Sequence, residues 1–112
     1  MLPSQNRLRT GYLKIYKDKK RVLNKYFLLF YKENNLSYSR FGFVIRKKLG
    51  KAFFRNKIKR RFRFAIRTEI KNIKPGFDFI FLINHNFDDW ESISYSEIKK
   101  NIFETLKSID KI

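Results

Sequence analysis

A chain of 112 residues suffices for one domain, and 43% hydrophobic content with thirteen phenylalanines excludes a disordered polyelectrolyte. A formal net charge of +17 is self-repelling at this length, so it asks for a polyanionic partner, and nucleic acid fits best. The absence of cysteine excludes disulfides and thiolate metal sites, and no apolar run approaches a membrane span or a signal-peptide core, so a soluble cytoplasmic protein with no membrane association is expected.

Residues 1–10 are polar and basic, with Pro3 and Gly11 as breakers, and read as an extended arm within a single domain spanning 1–112. Thr10 is placed to cap a short helix running to about Lys17. That helix sets Tyr12 and Tyr16 one turn apart on the same face, either as half-buried packing groups or as a ligand surface. Residues 17–20 read as a turn and 21–24 as a short strand. Residues 25–31 make a stronger strand, with Tyr26, Leu28 and Phe30 on one face and Phe27, Leu29 and Tyr31 on the other. Both faces are apolar, so the strand is covered on both sides or offers one side as an aromatic ligand surface. Residues 32–37, with Asn34-Asn35, read as a hairpin loop. The chain returns as a strand over 38–45, with Phe41, Phe43 and Ile45 on one face and Gly42 and Val44 on the other.

The stretch 46–67 organises the rest. Its cations are Arg46, Lys47, Lys48, Lys51, Arg55, Lys57, Lys59, Arg60, Arg61, Arg63 and Arg67, and no acidic residue occurs between Glu33 and Glu69. At about 100° per residue, Phe54, Ile58, Phe62, Ala65 and Ile70 share one side of a helix. Asn56, Arg60, Arg63 and Arg67 share the other, so one face can bury while the other meets phosphates. Phe53 and Phe64 project toward the basic side, where an exposed ring can stack on a base.

The helix is expected over 53–72, with Pro75-Gly76 as its stop. Residues 77–83 are the most strand-like of all and belong at the centre of a sheet. Residues 84–91 form a polar loop. Ser94 or Ser96 caps a last helix to about Ile109, with Ile98, Ile102, Phe103, Leu106 and Ile109 as its buried stripe. The order is αβββαβα, an α+β fold with helices layered on about four strands.

Catalytic groups are scarce. His85 is the single histidine, so a protein-only ribonuclease built on paired acid and base histidines is excluded. No serine has a nucleophile elbow, and Gly42, Gly50 and Gly76 match no phosphate-cradling loop. Asp88, Asp89 and Glu91, with Asp78, could in principle hold a hard metal, but clustered acids in a polar loop are ordinarily solvated turn residues. No catalytic residue and no protein-held metal is expected.

The run Arg55-Asn56-Lys57-Ile58-Lys59-Arg60-Arg61-Phe62-Arg63 resembles the helix motif of the protein subunit of bacterial ribonuclease P. The resemblance covers most of the chain: Asn6-Arg7-Leu8, the pair Tyr12 and Tyr16, the strand block 24–30, and Gly42-Phe43-Val44-Ile45 followed by Arg46-Lys47-Lys48-Leu49-Gly50-Lys51-Ala52. Two positions depart from the motif. Lys57 replaces an arginine, keeping charge but losing bidentate geometry, and Phe64 stands where a polar or acidic residue is frequent. The resemblance implies that a partner RNA, the ribonuclease P RNA, hydrolyses the phosphodiester joining the 5′ leader to precursor tRNA, with Mg²⁺ held mainly by RNA. It implies that the basic loop and helix, through Arg46, Lys47, Lys48, Lys51, Arg55, Asn56, Lys57, Lys59, Arg60, Arg61, Arg63 and Arg67, dock on that RNA. It implies a leader cleft formed by Tyr12, Tyr16 and Phe30, a left-handed crossover from the third strand to the fourth, and no obligatory protein partner. Rival readings are a structural RNA-binding protein of ribosomal type, a membrane-surface protein and a self-sufficient nuclease.

Overall fold

The computed structural model describes residues 2–18 and 20–112. Runs of alternating or continuous apolar residues become four strands: β1 Arg21–Leu23, β2 Phe27–Glu33, β3 Arg40–Val44 and β4 Phe77–Ile83. Three helices, α1 Tyr12–Lys17, α2 Ala52–Thr68 and α3 Tyr95–Ser108, complete the order αβββαβα. The strands form one mixed sheet in the order β1-β2-β4-β3. β2 is antiparallel to β1 and β4, whereas β3 runs parallel to β4. The central place of β4 follows from its side chains, since Phe79, Ile80 and Phe81 are fully buried and need cover on both faces.

The expected hairpin between β2 and β3 does not form, because β4 lies between them. The loop instead carries the chain past the end of β4. Asn34 donates its backbone N–H to Gly76 O, its side-chain oxygen accepts from Leu36 N–H, and Asn35 takes a left-handed φ of 59°. The parallel β3–β4 pair then needs a long crossover, and α2 supplies it.

The two sheet faces carry two cores. On one, Phe27, Leu29, Phe41, Phe43, Phe79 and Phe81 pack under α2 and α3. Phe62 of α2 is fully buried there, its ring centroid 5.9–6.2 Å from those of Phe27, Phe43, Phe81 and Trp90. On the other face, Leu8, Ile15, Phe30 and Ile80 make a smaller core beneath α1. Tyr26 belongs to the larger core and not with Leu28 and Phe30, because it precedes β2 and turns toward Phe87 and Trp90. Trp90 is buried inside the loop read as polar, its indole N–H donating to Asn84 O.

Several boundaries differ from expectation for local reasons. α1 is preceded by Gly11 at φ 82°, with no side-chain cap, so Thr10 does not cap it. α2 ends at Thr68, whose hydroxyl donates to Ala65 O, and a 3-10 turn at Ile70–Asn72 follows, so the helix stops ahead of Pro75-Gly76. Ile66 joins the buried stripe, while Phe54 and Ile70 pack at its margin. Ser94 caps α3, its hydroxyl oxygen accepting from Glu97 N–H at 3.1 Å. The turn over 17–20 falls partly outside the described residues, at Lys19.

The segment read as an extended arm is docked along β3. Leu2 and Leu8 are buried, a 3-10 turn spans Ser4–Asn6, and Asn6 donates its side-chain amide to Ser39 O at 2.8 Å. Leu8 N–H donates to Phe41 O at 2.9 Å, extending the sheet edge by one bridge. Among the described residues no helix is long and apolar enough to cross a membrane.

Candidate nucleic-acid interface

α1 is too short to be stable alone and is held by Ile15, which is buried against the sheet. The helix then places Tyr12 and Tyr16 side by side, ring centroids 6.4 Å apart. Tyr16 meets Phe30 edge-on at 4.7 Å. Tyr12 lies over Gly42, and a methyl group at that glycine would overlap the phenol ring. Gly42 thus lets the backbone of β3 approach the ring, and the Tyr12 hydroxyl donates to Leu8 O at 2.9 Å. Burial pushes both phenols above the ordinary tyrosine range. Arg63 pulls weakly the other way at Tyr12, as does Arg46 at Tyr16. Both tyrosines are therefore neutral at neutral pH.

The structure brings Tyr12, Tyr16 and Phe30 together but gives them different roles. The two tyrosines are half-buried with ring surface outward, whereas Phe30 is 6% exposed beneath Tyr16 and supports it from below. Beside them the sheet face is only partly covered. Leu28, Val44 and Leu82 are half-buried, Leu23 of β1 is 75% exposed, and a cleft of about 170 Å³ opens between Leu23, Leu28, Leu82, Arg46 and His85. Apolar floor, aromatic wall and a cationic rim suit an unpaired nucleotide chain. Leu23, Leu28 and Leu82, which line this cleft, and Val44, which packs beside them, were not singled out from the sequence. The strand alternation that puts 28 with 30, and 44 with 46, carried the signal. Arg46, expected with the basic loop and helix, lines this cleft as well and lies near Tyr16.

The other cations belong to the loop before α2 and to α2 itself, and of these Arg63 reaches the edge of β3, where it shares a cavity with Tyr12 and Gly42. Lys47, Lys48 and Lys51 are exposed in the loop before α2, where a 3-10 turn spans Lys47–Leu49. On α2, Asn56, Lys57, Arg60 and Arg67 are exposed, and Arg55, Lys59, Arg61 and Arg63 are half-buried. The first turn of α2 has neither a side-chain cap nor an acidic residue, so its free N–H groups add to the positive field. Three ion pairs are found among the described residues, Lys32–Asp18, Arg40–Asp78 and Lys74–Asp110, and none uses a cation of α2. Crowding shows at Lys59, where burial first, then Arg63 and Arg55, hold the ammonium below the ordinary lysine range. Phe53 and Phe64 are exposed on this surface, at 72% and 53%.

Asp78 has a structural partner and stands apart from the acidic loop. Arg40, directly opposite it in the β3–β4 register, donates to both carboxylate oxygens at 2.8 and 2.7 Å, and the Asn34 side chain donates a third bond at 2.9 Å. Asp78 lies near the start of β4 and residues 88–91 follow its end, separated by roughly 20 Å of strand.

Comparison with known proteins bears on both surfaces. A family model described as Ribonuclease P matches residues 2–110. The ribonuclease P protein component of Fusobacterium nucleatum is 43% identical over 90 residues, covering 76% of this chain and 81% of that protein. The corresponding component of Thermotoga maritima is 34% identical over 105 residues, covering 93% and 90%. The solved structure of the RNase P protein from Thermotoga maritima superposes with a TM-score of 0.86 at 33% identity, over 93% of this chain and 97% of that one.

Proposed function

The chain belongs to the ribonuclease P protein family, and on that premise we propose how its two surfaces divide the work of the particle. As a ribonuclease P protein component it is a subunit of a ribonucleoprotein endoribonuclease and a partner of the ribonuclease P RNA. The loop 46–51 and α2 grip that RNA through Lys47, Lys48, Lys51, Arg55, Asn56, Lys57, Lys59, Arg60, Arg61, Arg63 and Arg67. The cleft between α1 and the sheet holds the single-stranded 5′ leader of precursor tRNA, with Tyr12 and Tyr16 as stacking surfaces, Phe30 as their support and Arg46 at the rim. The RNA performs phosphodiester hydrolysis with Mg²⁺ bound mainly by RNA, and the polypeptide supplies grip and alignment in the cytoplasm.

The observation that carries this reading is that a cationic helix with no ion pair among the described residues packs on one sheet face while the aromatic cleft lies on the other, the two adjoining where Arg63 meets Tyr12. Unpaired cations give salt-dependent docking on phosphates with little sequence demand. Rings and apolar strand residues accept any unpaired base, as a processing particle facing many leaders requires. A structural protein of ribosomal type would need the first surface only, and family membership does not favour it.

The test is reconstitution with a bacterial ribonuclease P RNA at low Mg²⁺. The protein should rescue cleavage of a leader-bearing precursor, and protein alone should cleave nothing. The reconstituted particle should bind precursor more tightly than mature tRNA, by a ratio that vanishes without the protein. An equal ratio with and without protein would remove the leader role.

A further inference from the structure

Between α2 and the start of α3 lies a groove of about 500 Å³ whose aromatic lining, Phe64 and Tyr95, the division of labour above does not use. Lys57, Arg60, Arg61, Arg63, Phe64 and Tyr95 line it. Phe64 and Tyr95 meet edge to face, ring centroids 5.4 Å apart at 64°, leaving Phe64 53% exposed. The Arg61 guanidinium leans across toward α3 and donates to Ile93 O at 3.4 Å. The Tyr95 hydroxyl is buried with no hydrogen-bond partner.

We propose that this groove captures one unpaired base of the ribonuclease P RNA, stacked on Phe64 and flanked by the cations of α2. The inference rests on the reading that α2 docks on that RNA, and it adds a base-binding element to a surface otherwise built for phosphates. The volume lies in the range of small-ligand sites. An exposed ring framed by cations, with no acid on the lining, has the composition of single-strand stacking platforms. Tyr95 braces Phe64 against rotation, so stacking loses little side-chain freedom. The precursor leader is the weaker occupant, because its proposed cleft lies across the sheet under α1. A protein partner is disfavoured by four cations without a neighbouring carboxylate.

The test uses the full chain and an in vitro transcribed bacterial ribonuclease P RNA without precursor, titrated over a salt series. Phe64→Ala should weaken binding about 5- to 100-fold, with the slope of log K against log salt unchanged, because a stacking contact releases no counterion. Phe64→Trp should restore affinity. Tyr95→Phe keeps the ring that braces Phe64 and should leave RNA affinity unchanged, whereas Tyr95→Ala should weaken binding in the same sense as Phe64→Ala. Arg60→Ala should instead lower the slope by roughly one phosphate contact. Unchanged RNA affinity in Phe64→Ala, with Arg60→Ala still weakened, overturns the pocket and leaves docking through α2 standing. No effect in either variant overturns both. Normal assembly with weakened precursor binding by the assembled particle makes the occupant the substrate and overturns the proposal. Melting curves of each free variant verify the fold.

Discussion

Tyr16 sits between two influences of opposite sign: burial against Phe30 raises its phenol pKa, and Arg46 lowers it by a smaller amount. A phenol raised on folding contributes stability that is complete below the unfolded value, about 10, and is lost as pH rises through the folded value. Tyr16→Phe should therefore flatten the alkaline end of a urea-stability profile and leave neutral pH little changed. Tyr16→Ala removes the ring itself and should weaken precursor binding by about 1–3 kcal/mol in a particle titration, with RNA assembly intact. Phe30→Ala will behave differently, although all three aromatics were grouped from the resemblance. Its ring is buried under Tyr16, so the loss should appear as about 3–5 kcal/mol of stability in denaturant melts, with weakened precursor binding following from the loosened α1. Spacing could put Tyr12 and Tyr16 on one face of a helix, but it could not say that Phe30 lies beneath them. Burial of that kind is set by which strand α1 crosses, a long-range fact. Gly42 was legible only as a residue on one strand face; the ring seated over it comes from α1, thirty residues earlier in the chain.

Elements were legible where periodicity was long and strong. β4 matches the predicted 77–83, and most of each expected stripe is buried, Ile58, Phe62 and Ala65 on α2 and Ile98, Ile102 and Leu106 on α3, while Phe103 and Ile109 are half-buried at the margin and Thr105 is buried in the stripe. Pairing was not legible. Two apolar strands joined by an Asn-Asn loop invite a hairpin, yet β4 is more apolar than either and takes the place between them. The register that results puts Arg40 opposite Asp78 and explains an acid that composition had grouped with the distant 88–91 loop. Arg40→Met would leave that mostly buried carboxylate with Asn34 as its remaining partner, and should destabilise the fold by about 3 kcal/mol in thermal melts. The sheet edges behave comparably: β3 is closed at Phe41 by the N-terminal segment, which composition described only as polar and basic. Leu2 and Leu8 were the available signal, two apolar residues in a segment otherwise suited to solvent.

At the scale of the whole molecule, a charge of +17 opposes folding of the free chain and favours any state bound to a polyanion. Lys59 feels part of this tension: burial is the main cause that holds it below the ordinary lysine range, and the neighbouring Arg63 and Arg55 push it the same way. For a cation depressed on folding the penalty is present while both states are protonated, and it is relieved as pH rises from the folded pKa toward the unfolded one. Lys59→Met should therefore stabilise the free protein by no more than about a few tenths of a kcal/mol given its partial exposure, read as a small rise in melting temperature, while weakening RNA binding. Stability and binding moving in opposite directions is the signature of a cation kept for its partner. The same logic governs anions. Sulfate should raise the melting temperature more than sodium chloride at equal ionic strength, because bound anion neutralises the α2 surface as well as screening it. Sulfate also strengthens apolar burial in any protein, so the informative quantity is the part of the rise that depends on α2. Arg60→Gln combined with Arg67→Gln, both exposed and without ion-pair partners among the described residues, should lose much of that sulfate increment while melting higher than the unsubstituted chain in dilute buffer. If the double variant keeps the full increment, sulfate acts through burial alone and the helix charge does not limit the stability of the free protein.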